Sequence, residues 1–189
     1  MIELIEKSGA ILIGTSDSHG GIFDSNGLDI AQIVELKKNK KSLAEYSGAT
    51  QITNSELLEL DCDILIPAAL ENQITGDNVQ NIKAKLILEL ANGPITPDAD
   101  VTLFDKGIAV IPDILANAGG VTVSYFEQVQ NNANYYWSRE EVQQKLKLKM
   151  ETALAGVLKS SNEHKVMLRT GAYVVAMERI LEAMKMRGE

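Results

Sequence analysis

The residues best placed to do chemistry lie between Ile108 and Glu127. There a short apolar run, Ile108 to Ile111, meets Pro112, passes through Asn117-Ala-Gly-Gly120 and opens an amphipathic segment. The pattern reads as strand, loop and helix. Ile108 to Ile111 has the continuous apolar character of a buried parallel strand, and the paired glycines let backbone come close to whatever sits at its carboxyl end. In open α/β sheets that edge is where ligands bind. If the helix begins near Gly120, Val121 and Ser124 stand three apart on one face, the spacing at which two side chains line one pocket. Ser124 has an equally simple alternative, a bond from its hydroxyl back to a helix carbonyl. Asp17 follows a second apolar run, Ala10 to Thr15. A carboxylate in that place either accepts hydrogen bonds from a nucleotide ribose or caps the Ser18-His-Gly-Gly21 turn, and His19 in that turn reads as a solvated loop residue. Ala68 and Ala69 put two small side chains just after a strand, where bulk would obstruct a flat ligand. Packing of both alanines beneath the following helix is the other reading.

These residues need a scaffold, and the periodicity supplies one. Buried strands are expected at Ala10 to Thr15, Asp63 to Pro67, Lys85 to Glu89 and Ile108 to Ile111. A short amphipathic helix is expected over Met1 to Ser8, closed by Gly9, and a sheet-covering helix from the N-cap Asp29 through Lys37. Asn54 is placed to cap Ser55 to Leu60, and Thr96-Pro-Asp opens a helix that Gly107 closes. Ser138 with Glu141 makes a capping box before a long helix striped by Val142, Leu146, Met150, Ala153, Leu154 and Val157. Arg169 to Arg187 is again amphipathic, through Tyr173, Val174, Met177, Ile180, Leu181 and Met184. The aromatic cluster Tyr135-Tyr-Trp137 reads as packing. Strand and helix alternate, so the fold class is α/β.

With 189 residues and 45% hydrophobic content the chain can bury one sizeable core, and a single domain over 1–189 is expected. A formal charge of −8 argues against nucleic acid or an anionic membrane as partner. Lys37 to Lys41 reads as the solvated end of a helix. No apolar run approaches the roughly 20 residues of a membrane span, nothing at the start has the form of a signal peptide, and a cytoplasmic chain is expected. The single cysteine, Cys62, excludes an internal disulfide and reads as a structural thiol. No metal site is evident.

Four further stretches complete the picture: Ser16-Asp-Ser-His-Gly-Gly-Ile22, Ile66-Pro-Ala-Ala-Leu-Glu-Asn-Gln-Ile-Thr75, Ala91-Asn-Gly-Pro94 and Leu168-Arg-Thr-Gly-Ala-Tyr-Val-Val-Ala-Met-Glu178. Together with the central segment they resemble, in order, the glutamate/leucine/phenylalanine/valine dehydrogenase family, and most closely the C-terminal NAD(P)-binding domain of its glutamate dehydrogenases. The resemblance implies a Rossmann-like doubly wound sheet with C-terminal helices over 139–187. It implies cofactor contacts at Asp17, Ala68, Ala69, Asn92 and Asn117, the two asparagines on the nicotinamide side, with NAD or NADP as cofactor. It also implies that Val121 and Ser124 border the substrate side chain, with the serine hydroxyl directed to the distal carboxylate of glutamate. Leu90 departs from the family, which usually has glycine there, and adds bulk near the nicotinamide region.

No Gly-x-Gly-x-x-Gly turn occurs in the chain. The resemblance therefore implies a domain truncated at its amino end, lacking the first strand and the glycine-rich phosphate loop. The family's acid/base lysine and aspartate are likewise unmatched, so no residue of this chain is assigned a catalytic role. The expected function is that of the cofactor-binding domain of an NAD(P)-dependent glutamate dehydrogenase, which converts L-glutamate to 2-oxoglutarate and ammonia, with no activity from this chain alone. The alternative is a non-catalytic relict or partner subunit. A sheet missing a central strand exposes edges, and a homo-oligomer is expected.

Overall fold

The computed structural model describes Ile5 and residues 7–188. The helix expected over Met1 to Ser8 falls largely outside the described residues. Two units are present, one of Met1–Asp61 with Asn81–Lys83 and one of Cys62–Gln80 with Ala84–Glu189.

In the first unit, β1 (Gly14–Asp17), β2 (Gly20–Phe23) and β3 (Thr50–Ile52) form an antiparallel sheet in that order. The strand expected at Ala10 to Thr15 starts later, at Gly14, and runs antiparallel to its neighbour. The reason is the turn: only Ser18 and His19 separate the paired Asp17 and Gly20, enough for a hairpin and far too few for a crossover. Helix α1 (Ile30–Lys38) starts where expected, with the Asp29 side chain accepting from Gln32 N. It buries Ile30 and Ile33, and Ile33 joins Ile22, Leu28 and Leu43 in the core. Helix α2 (Asn54–Leu58) is capped one residue earlier than expected, by Thr53, whose box with Glu56 satisfies two backbone donors at once. A Cβ on Gly14 would lie 2.9 Å from the Leu57 side chain, so the glycine lets α2 close on β1.

In the second unit, β4 (Ile64–Leu65), β5 (Leu86–Leu88) and β6 (Ala109–Ile111) form a wholly parallel sheet with β5 central. The class is α/β, as expected, with the strands divided between two three-stranded sheets. Helix α3 (Pro97–Asp105), with Pro97 in its first turn, buries Ala99 and Leu103 completely. Gly107 follows its end at φ 74°, the left-handed position that favours glycine. A short α4 (Asp113–Ala116) leads into α5 (Ala118–Ala133), α6 (Arg139–His164) and α7 (Leu168–Arg187). The Ser138 capping box is present. Trp137 packs edge-on to Phe126 at 5.6 Å under Lys145, whereas Tyr135 and Tyr136 are exposed.

The stripe of α6 is inward as expected, and Val157 joins Leu115 and Ala172 in a cluster with Ile111, Ala153, Leu154 and Leu168. That of α7 is not. Helix α7 buries Gly171 and Ala172, while Tyr173, Met177, Ile180, Leu181 and Met184 remain 40–61% exposed. The cause is geometric: at Gly171 a Cβ would meet the Ser161 backbone at 3.0 Å, so α7 touches α6 through small residues near its start. Beyond that point the apolar stripe meets no element that covers it among the described residues. No helix among them is long and apolar enough to cross a membrane.

Candidate functional site at the carboxyl edge of the parallel sheet

Three loops leave the carboxyl ends of β4, β5 and β6, and their backbones are laced together. Pro67 O accepts from Leu90 N at 3.0 Å and Ala91 N at 2.9 Å, and Pro94 O accepts from Gln73 N and Ile74 N at 2.8 and 2.9 Å. Asn72 N donates to Gly93 O at 2.9 Å, and Glu89 N to Ile111 O at 3.1 Å. The loops are thereby held as one ledge, with their polar backbone groups paired instead of left to solvent.

On this ledge the two expected asparagines meet. Asn117 Nδ2 donates to Asn92 Oδ1 at 2.7 Å and lies 3.4 Å from Leu90 O. Asn92 is exposed, and its own amide nitrogen has no protein partner among the described residues, which leaves a donor for a ligand carbonyl. Ala68 and Ala69 are exposed on the loop after β4. Their methyls therefore do not pack beneath a helix. Leu90 is half-buried in ordinary backbone geometry, so no left-handed conformation calls for a glycine there. Gly93 takes the left-handed value, φ 55°.

Val121 and Ser124 lie on the exposed side of α5. Val121 is 70% exposed, and the Ser124 hydroxyl donates to Gly120 O at 3.3 Å, the helix back-bond named above as its alternative. Asp17 belongs to the first unit. One oxygen accepts His19 N at 2.8 Å and the other pairs with Lys37. Burial works to raise the Asp17 carboxyl, but the Lys37 and His19 bonds together hold it below the usual carboxylate range. It caps the hairpin turn, and His19 is exposed as expected.

What the sequence reading missed lies directly behind the ledge. Arg169, at the start of α7, donates from Nη2 to Glu89 Oε1 at 2.7 Å, from Nε to Asp100 Oδ2 at 2.7 Å and from Nη1 to Asp113 Oδ1 at 3.0 Å. The free oxygen of Glu89 accepts Asp113 N at 2.7 Å, and that of Asp113 accepts Gly93 N at 2.8 Å. Glu89 is fully buried. Burial pushes its carboxyl up, and Arg169 with the Asp113 N–H offsets only part of that. Burial disfavours the guanidinium charge too, but the carboxylates outweigh it and hold Arg169 firmly protonated. A signal was available: Glu89 ends an apolar strand that must be buried, and a buried carboxylate calls for a cation. Among the described residues no group of His, Cys, Asp and Glu is arranged to hold a metal ion.

A parallel sheet with loops joined at its carboxyl edge is the arrangement at which open α/β domains bind ligands. Residues 1–188 match the Glutamate/Leucine/Phenylalanine/Valine dehydrogenase family, and the chain belongs to it. It is 48% identical over 180 residues to the NAD-specific glutamate dehydrogenase of Staphylococcus aureus (strain COL), covering 95% of this chain and 43% of that protein. The hetero-hexameric glutamate dehydrogenase of Thermus thermophilus, in its Leu-bound form, superposes with a TM-score of 0.90 at 30% identity, over 99% of this chain and 44% of that one. The Peptoniphilus asaccharolyticus glutamate dehydrogenase superposes with a TM-score of 0.81 at 38% identity, over 99% and 43%. The chain thus spans less than half the length of these relatives.

Proposed function

We propose that residues 1–189 are the cofactor-binding domain of an NAD-dependent glutamate dehydrogenase. The observation that carries this reading is the Asn92–Asn117 pair, bonded at 2.7 Å on a ledge at the carboxyl edge of a parallel sheet. The residues present fit a nicotinamide dinucleotide there. Asn92 offers a free amide to the carboxamide, and Ala68 and Ala69 leave room for a flat ring system. When bound, the nicotinamide supplies the hydride acceptor. The chain's own residues bind and orient it, while Val121 and Ser124 provide one wall for the glutamate side chain. NAD is favoured over NADP by the 48% identical relative, itself NAD-specific.

The acid/base groups of the family have no counterpart in this chain, and proton transfers of that kind are worth roughly a hundredfold to ten-thousandfold each. The isolated chain is therefore expected to oxidise no L-glutamate. Titration with NADH in a calorimeter tests the binding part, and heats no larger than those of dilution would refute it. Turnover to 2-oxoglutarate and ammonia by a mass-verified sample would refute the second part. Leu90, by its bulk, favours one other reading, a non-catalytic partner subunit, for which NADH binding would be absent while association persists. In either case the chain is read as a cytoplasmic homo-oligomer with no nucleic acid or membrane partner. A well-folded 20.6 kDa monomer in sedimentation equilibrium would contradict the oligomer.

A further inference from the structure

We infer that Arg169 is a positioning residue for the Asn92–Asn117 pair, acting across the ledge through Asp113. The inference rests on the proposed function only in taking that pair as the ligand-contacting group; the positioning itself is geometric. Asp113 and Asn117 lie four residues apart, one turn of helix, so both side chains reach the same side. There they grip two consecutive residues of the β5 loop: Asp113 Oδ2 holds Gly93 N at 2.8 Å, and Asn117 Nδ2 holds Asn92 Oδ1 at 2.7 Å. The bond from Asn117 N to Asp113 O at 3.0 Å closes this ring.

The aim of the ring is set by the carboxylate of Asp113, whose other oxygen sits on Arg169 Nη1 at 3.0 Å. The same oxygen accepts Ile114 N at 2.8 Å, a bond within its own helix turn, so Arg169 is what ties the half-buried carboxylate to α7. Arg169 is itself immobilised: Glu89 and Asp100 bond its two other nitrogens at 2.7 Å each. Glu89 also fixes the Asp113 backbone, accepting its N–H at 2.7 Å. The Asp113 residue is thus held at side chain and main chain by the same guanidinium and carboxylate. Charge-assisted bonds of fixed fork geometry suit this task, and lysine, a single point charge on a flexible stem, does not reproduce it. The left-handed Gly93 is the part of the ledge that most needs such support, since its own backbone preference does not select one conformation.

The experiment separates positioning from plain stabilisation. Amide exchange of Gly93 and the side-chain amide signals of Asn92 and Asn117 are followed by NMR in the ligand-free chain, together with NADH affinity by calorimetry. The variants are Asp113→Asn, Arg169→Lys and, as a control that lowers stability away from the network, Phe126→Leu, at a buried side chain packed on Trp137. Asp113→Asn should speed Gly93 exchange at least tenfold and weaken NADH at least tenfold, because it puts an NH2 donor in place of one of the two oxygens that accept from Gly93 N and Arg169. Arg169→Lys should move both in the same direction. Phe126→Leu should leave the asparagine signals in place and NADH affinity within about twofold. Equal effects from Asp113→Asn and Phe126→Leu, or an unmoved Gly93 amide in Asp113→Asn, would overturn the inference. A wild-type chain that binds no NADH while Gly93 responds as described would refute the cofactor reading and leave the positioning role standing.

Discussion

A carboxyl whose pKa is higher in the folded chain than in the unfolded one binds its proton preferentially when folded. The stability it contributes is complete below the unfolded value and is lost as pH rises through the folded value. Glu89, raised by its burial, is such a group. Asp17 has the opposite sign, because its bonds to Lys37 and His19 outweigh its burial and lower its pKa. Its contribution is present above the unfolded value and is lost as pH falls through the folded one. Urea midpoints measured from pH 3 to 8 should show both signs. Glu89→Gln should flatten the decline of stability above the ordinary carboxyl range, and Asp17→Asn should flatten the decline below it. Identical pH profiles for wild type and both variants would contradict these assignments. Arg169→Met leaves Glu89, Asp100 and Asp113 without their cation. It should cost about 3–5 kcal/mol near neutral pH, the usual price of breaking one side of a buried ion pair. The loss should shrink on acidification as the carboxyls take up protons.

At the level of elements, helix starts were the most legible part of the chain. Asp29, Ser138 and the Thr96-Pro97 step all open helices where their side-chain chemistry or fixed φ demands it. The meeting of Asn92 with Asn117 is a finding of the fold, and their part in cofactor contact is an expectation from the family resemblance alone. The Arg169 cluster was not legible, because its members stand 11, 13 and 56 residues apart in the chain, from 89 to 100 to 113 to 169, and each has an ordinary local reading. Asp113 looks like a first-turn acid, and Arg169 like a helix surface cation. Only the fold reveals that they converge. Two glycines show the same dependence on tertiary context. Gly156, within α6, has nothing within 4 Å of a built Cβ, whereas at Gly171 that atom would meet the Ser161 backbone at 3.0 Å. Gly156→Ala should therefore stabilise the chain by roughly 0.5–1 kcal/mol. Gly171→Val should destabilise it by about 1–3 kcal/mol through overpacking. Thermal melts that rank the two variants the other way would show that the α6–α7 contact is not as described.

On the scale of the whole molecule, the stripe of Tyr173, Met177, Ile180, Leu181 and Met184 is the largest departure from the sequence expectation, since periodicity reports an apolar face but not what covers it. If the chain associates through this face, Met177→Asp and Ile180→Asp should lower the sedimentation-average mass. Folding should change little, because these side chains are already 61% and 59% exposed. Retention of the full assembly mass by both variants would place the association elsewhere. The anchor of α7 bears on something different again, the shortening of genes. The three carboxylates on Arg169 precede residue 114, while their counterion follows residue 168. A premature stop anywhere between them would leave every strand encoded yet strand a buried cluster of negative charge behind the ledge. Tolerance to such truncation is decided by burial and bonding rather than by distance from the terminus. The last helix is therefore no dispensable tail: descendants of this sequence can lose residues beyond its first turns far more readily than they can lose the turn that carries Arg169.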